Sequence, residues 1–418
     1  MLMYHNIVSD KAFRAIHAWV QRKLGEGAEF SYGGGTPSTV NDEFWNGDIP
    51  WLQSSDLTEH NVTQVNLRKY ITQKGLKCSA AKLVPAKSIA IVTRVGVGKL
   101  CIVPFQYTTS QDFLSLSKLN VDIWFGVYVI YKKLQGELYS VQGTSIKGIT
   151  KEELLNKTIN VPSSIPEQTS IGNFIRALDD TITLYKRKLD GLKELKRGYL
   201  QQMFPQSGED IPLLRFVGFA EPWEQLILND IVVKLTGGAS IEPNDYQDFG
   251  VRTIPKGAIN ATGVADLSGS KFISNFFYEK NKSSMVSTTD IVTSLRDLVP
   301  SAPSMGRIVR IEGAKEDFLM PQGVYKIELL DGISENFVIS YSNSEKYRKI
   351  IFAEKNGSTQ VHIRNGEFLN IDIPVPSSDE QSTIGNFFRN LDDQIAAYQS
   401  KLDKLKQLKS TYLQKMFI

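Results

Sequence analysis

The sequence predicts an α+β protein: two globular α+β segments, each followed by a copy of one long helix, with the two helices pairing as an antiparallel coiled coil of pseudo-twofold symmetry. Three observations carry this expectation. A 38-residue block occurs twice, from Glu167 to Phe204 and from Glu380 to Phe417, aligned without a gap at an offset of 213 and with about 24 identities. Both copies space their apolar residues by four and three, the pattern of a helical seam. The segments ahead of them share a looser frame of tryptophan, glycines and short β-like runs.

The first segment, 1–162, carries Trp19, Lys23-Leu24-Gly25 and the glycine-rich opening from Gly33 to Leu57. Ser88–Val92 reads as a strand, and Thr93–Lys99 as a glycine-bearing turn. That turn is no nucleotide-binding phosphate loop, because Leu100 stands where a magnesium-binding Ser or Thr belongs. Two readings stay open for it: a plain β-turn, or a turn whose Arg94 and Lys99 hold a DNA phosphate. A β-like run after Gly143 closes the segment. The helix of 163–205 follows, with Ser164 three residues before Glu167 as a capping box and Leu178, Ile182, Tyr185, Leu189, Leu192, Tyr199 and Met203 on its seam. Gly191 is its one misfit.

The second segment, 206–375, repeats the tryptophan at Trp223 and the glycines at Gly237-Gly238, while its interior diverges. Phe337–Ile339 reads as a strand, and a run after Gly357 closes it. The stretch from Asp290 to Arg307 matches the first domain's basic turn without its glycine pattern. In the final helix, 376–418, Ser377 and Glu380 repeat the cap. The apolar residues at Leu391, Ile395, Tyr398, Leu402, Leu405, Tyr412 and Met416 repeat the seam. If each domain's ends lie close together, the second helix runs back along the first.

Bulk properties narrow the function classes. The chain of 418 residues, 41% hydrophobic and 22% charged, suits two folded domains. No apolar run approaches the ~20 residues of a membrane span, and no signal-peptide core is visible at the start, so a cytoplasmic protein is expected. Cys78, Cys101 and the scattered His5, His17, His60 and His362 offer no disulfide framework or metal-ligand pair; neither metal nor cofactor is expected. The net charge of +3 is indifferent, but Lys186–Arg197 and the stretch after Lys401 concentrate positive charge.

Taken together, the glycine-rich opening, the Thr93–Lys99 turn, Thr109-Ser110-Gln111 and the duplicated helical block resemble the specificity (S) subunits of type I restriction-modification systems. The resemblance covers essentially the whole chain. It implies a non-catalytic subunit with two target recognition domains, each reading half of an asymmetric bipartite site in double-stranded DNA. It also implies repeated helices that bind two modification subunits, with restriction subunits joining the complex. The DNA-contacting residues expected are Ser54, Ser55, Arg94, Lys99, Ser110 and Gln111 in the first domain, and Lys256, Ser294, Arg296, Arg307 and Gln322 in the second. Ile171, Phe174, Ile384 and Phe387, lying before the seam proper, are the candidate partner contacts, the alternative for each being packing onto its own domain. The competing readings are a free-standing two-domain DNA-binding regulator and a nuclease or methyltransferase of unfamiliar type.

Overall fold

The structure, a computed structural model, describes residues 18–140, 148–255 and 257–417. Its contacts divide the chain into two units: Met1–Lys186 with Lys401–Ile418, and Arg187–Ser400. The division falls inside both long helices, whereas the sequence-based boundaries at 162, 205 and 375 sit at helix ends.

In the first unit the strands are β1 (Trp19–Lys23), β2 (Ala28–Gly33), β3 (Trp45–Leu52), β4 (Lys69–Ile71), β5 (Ser88–Val92), β6 (Leu100–Val103), β7 (Thr108–Thr109), β8 (Phe113–Leu119) and β9 (Thr158–Pro162). Helices α1 (Gln73–Lys77), α2 (Ile123–Ser140) and α3 (Lys151–Asn156) precede the long α4 (Ile165–Gln202). Every residue of β5 is buried, as its unbroken apolar run requires of a central strand. It pairs with β6 and β8 in a sheet of order β2-β8-β5-β6. A second sheet, β4-β3-β7, joins β3 to β7 in parallel.

The second unit contains β10 (Glu224–Ile227), β11 (Val232–Gly237), β12 (Tyr246–Gln247), β13 (Val251–Thr253), β14 (Phe272–Ile273), β15 (Met285–Ser287) and β16 (Ile291–Ser294). It continues with β17 (Arg296–Asp297), β18 (Ile308–Arg310), β19 (Asp317–Leu319), β20 (Val324–Leu329), β21 (Val361–His362) and β22 (Asp372–Val375). Its helices are α5 (Leu228–Ile231), α6 (Asn275–Lys280), α7 (Glu335–Tyr341), α8 (Glu345–Glu354), α9 (Asn365–Leu369) and the long α10 (Ser378–Met416). The main sheet has order β11-β20-β16-β18, the same topology as β2-β8-β5-β6. In both units a parallel pair, β3 with β7 or β13 with β19, stands beside it. The weak sequence frame is thus a full structural duplication.

One expected strand is a helix. Phe337–Ile339 lies in α7, where the Ser334 side chain accepts the Phe337 amide at the N-terminus and all three residues are buried. Buried on every side, they show no period, so the three-residue run carries no signal to separate strand from helix. The capping boxes are also only half formed. Ser164 and Ser377 accept the amides of Glu167 and Glu380, each at 3.4 Å, but the Glu380 carboxylate turns to Arg215 in a two-pronged ion pair at 2.8 and 2.7 Å. Helix α4 continues through Gly191 without a break.

The long helices pack in the same manner in both units. In the first, Phe174 of α4 meets Tyr412 of α10 edge-on at 4.8 Å, and Asp179 pairs with Lys409 at 2.6 Å. In the second, Tyr199 of α4 meets Phe387 of α10 at 5.0 Å, and Lys196 pairs with Asp392 at 2.5 Å. Later residues of one helix meet earlier residues of the other, so the pairing is antiparallel in each unit. Gly172 and Gly385 permit the helices to lie against their domains: a Cβ at either would stand 2.5 Å from the Phe125 amide or 2.7 Å from that of Phe337.

Candidate nucleic-acid interface

Ladder register equates residues of the two domains that sequence alignment leaves apart. Ile91 faces Leu100 as Thr293 faces Ile308, and Val92 faces Phe113 as Ser294 faces Val324. Counting outward, Arg94 corresponds to Arg296, Gly98 and Lys99 to Gly306 and Arg307, and Gln111 to Gln322. Backbone bonds agree. Gly98 and Gly306 donate to Val92 and Ser294, while Thr93 and Leu295 donate to Asp112 and Gly323. Gly98 and Gly306 also share positive φ values, +93° and +73°, so the glycine turn persists in the second domain despite a longer connection.

The glycine-rich openings reach the same place. Gly35 donates to the Thr109 carbonyl, and Ala239 to that of Met320, each at 2.9 Å. A Cβ on Gly34 would lie 1.9 Å from the Ser110 oxygen, and one on Gly238 would lie 2.1 Å from that of Pro321. Only glycine permits this approach, which fixes the loop carrying Gln111 or Gln322.

In the first unit, Ser110 donates its amide to Leu52, the residue ending β3, and Thr36 Oγ1 donates to Gln111 Oε1 at 2.5 Å. Ser54 and Ser55 occupy the turn just beyond β3, held by the Asp56 carboxylate accepting the Gln53 amide at 3.0 Å. Arg94 and Gln111 are exposed, and the Thr93 hydroxyl, donating to the Asp112 carbonyl at 3.0 Å, ties together the two stretches that carry them. Lys99, at the end of the turn, lies 3.8 Å from Glu59.

In the second unit Arg296, Gln322 and the backbone around Ser294 line a groove of about 600 Å³, together with Ser240, Gln360 and His362. Arg296 and Gln322 are exposed there.

Seven of the expected site residues need correction. Ser110 is 4% exposed and Ser294 5%; the Ser294 hydroxyl donates to the Arg296 carbonyl at 2.7 Å, so these serines brace the surface loops and are not themselves at the surface. Arg307 spends its guanidinium on the Pro303 carbonyl and on Asn343, and burial beside Arg348 lowers its pKa to about 10, leaving it charged but occupied. Ile171 and Ile384 lie in the domain cores, 6% and 2% exposed. Phe174 and Phe387 are half-buried against Tyr412 and Tyr199. These four apolar side chains are already committed within their own units. Lys256 lies outside the described residues. Thr36 lies within the glycine-rich opening, whose pattern marks the frame, while Ser240, Gln360 and His362 carry no sequence signal. No group of residues suited to a metal ion occurs among the described residues, and none of their helices is long and apolar enough to cross a membrane.

The duplication meets the comparisons directly: a family model described as type I restriction modification DNA specificity domain matches residues 17–194 and again 221–407. The chain belongs to this specificity family. Curated members resemble it to different extents. The type I restriction enzyme MjaIX specificity subunit of Methanocaldococcus jannaschii is 28% identical over 185 residues, which are 42% of this chain and 41% of that subunit. The chain therefore spans about two-fifths of that relative's length. The MjaVIII specificity subunit of the same organism is 21% identical across 98% of this chain and 96% of its own. A crystal structure of the type I restriction-modification system S subunit from M. genitalium shares the fold of this specificity-family chain, with a TM-score of 0.64 at 15% identity over 97% of this chain and 98% of that one.

Proposed function

We propose that this chain is the DNA sequence-specificity subunit of a type I restriction-modification complex, acting in the cytoplasm. Its two domains read the two halves of an asymmetric bipartite site, and its repeated helices dock two modification subunits, which restriction subunits then join. The chain itself neither methylates nor cuts DNA.

The observation that carries this reading is the register match of exposed Arg94 and Gln111 with Arg296 and Gln322 on domains whose remaining surface differs. Arginine suits guanine edges and glutamine suits adenine edges in the major groove, and lysines nearby neutralise phosphates. Two such surfaces on one frame with unlike surroundings are suited to two unlike half-sites.

The test is co-expression with the cognate modification subunit, followed by mapping of methylated bases. The expected result is adenine methylation at one bipartite sequence, lost without this chain. Methyl transfer by the isolated chain at the rate of the complex would overturn the reading.

A further inference from the structure

The groove of the second unit holds one side chain that the shared frame does not supply. Ile149 and Ile363 occupy the same register position, since their amides donate to Thr93 and Leu295 at 2.7 and 3.0 Å. The residue before each is Gly148, at φ +101°, in the first domain and His362 in the second. An imidazole thus stands where the other domain has no side chain. It is directly opposite Arg296 in the β17–β21 ladder, and opposed residues of an antiparallel pair project to the same face with Cβ atoms roughly 4.5–5.5 Å apart.

The backbone beneath this pair is firmly held. His362 and Asn356 exchange amide-to-carbonyl bonds at 2.9 and 2.8 Å, and Gly357 turns the connection at φ +103°. His362 is nonetheless exposed, beside Gln322 and Gln360 on the groove of about 600 Å³. A phosphate contact tolerates a mobile cation, whereas base readout needs a donor held in place.

We propose that His362 is a specificity-determining residue of the second domain, donating its imidazole N–H to a purine N7 at the base pair next to the one that Arg296 contacts. N7 is an acceptor on both guanine and adenine, so this contact separates purine from pyrimidine at one position and does not separate G from A. The inference rests on the DNA-reading function proposed above.

The experiment maps methylated sites for the full chain with its modification subunit, comparing wild type, His362→Ala and Gln322→Ala. The expected result for His362→Ala is one position relaxed from purine towards any base, with discrimination there falling about tenfold or more. That position should lie in the half-site that Gln322→Ala also alters, with the other half-site unchanged. A wild-type target in the His362→Ala complex overturns the assignment. So does uniform weakening on all sequences, which marks a phosphate contact. A wild-type complex that methylates no DNA removes the underlying function, and the His362 assignment with it.

Discussion

Asp392 is an acid whose surroundings work against its charge. Burial is the larger influence and the ammonium of Lys196 the smaller, opposing one, so the carboxyl is raised from 3.8 to about 6. A raised acid binds its proton more tightly in the folded state, so its favourable contribution is complete below about pH 4 and is lost as pH rises through about 6. Between pH 4 and 7 the wild type should lose on the order of 2–3 kcal/mol relative to Asp392→Asn. Native-state hydrogen exchange in residues 187–400 measures it, and equal pH slopes in the two proteins would show that burial does not govern this carboxyl. Asp179, at the equivalent place in the first unit, is raised for the same reason, but there Tyr128 also donates to it at 2.7 Å. Lys196 and Lys409 each donate in addition to a domain carbonyl, Ala261 and His60, both at 3.1 Å. A lysine and an aspartate in a charged helix read as surface residues; only the fold shows them enclosed.

At the level of elements, the helical block was legible in the sequence because many of the repeated residues meet the same kind of partner in their own unit. Gln168 and Gln381 donate to Pro162 and Pro376 and accept the amides of Asp122 and Ser334, pinning the helix starts through side chains that must be glutamine-like. The recognition domains are held in register by main-chain bonds instead, which Thr109 satisfies as well as Met320, so their duplication left little trace in the residues. The same reasoning explains why exposure was poorly legible: Arg296 and Gln322 stand at the surface, whereas Ser294, polar like them in sequence, is buried. For the proposed docking of modification subunits, the candidate contact is what the helices leave uncovered. Leu195 and Leu408, separated by the repeat offset, remain 46% and 41% exposed. Leu195→Asp and Leu408→Asp should each release one modification subunit and together release both, with melting temperature little changed, since neither side chain is in a core. Native mass spectrometry counts the subunits; a full complement on the double variant would place docking elsewhere.

On the scale of the whole molecule, the first unit is discontinuous. Leu413 and Phe417 belong to its core, and Phe417 stacks on Phe125 at 5.2 Å. Deleting residues 402–417 should therefore weaken the N-terminal domain, by roughly 3–5 kcal/mol for the lost aromatic core contact alone. Hydrogen exchange of the Ser88–Val92 amides should quicken in that deletion, and unchanged protection there would show that the domain closes without the second helix. The discontinuity also imposes an order on synthesis. Arg187–Ser400 is one uninterrupted stretch, whereas the domain translated first waits for a helix made more than two hundred residues later. At about 5–20 residues per second, that delay is roughly 10–40 s, during which the apolar surface around Phe125 stays uncovered on a ribosome-bound chain. The nascent protein is thus most open to chaperones at its earliest-made domain, and its two halves mature in the reverse of the order in which they are translated.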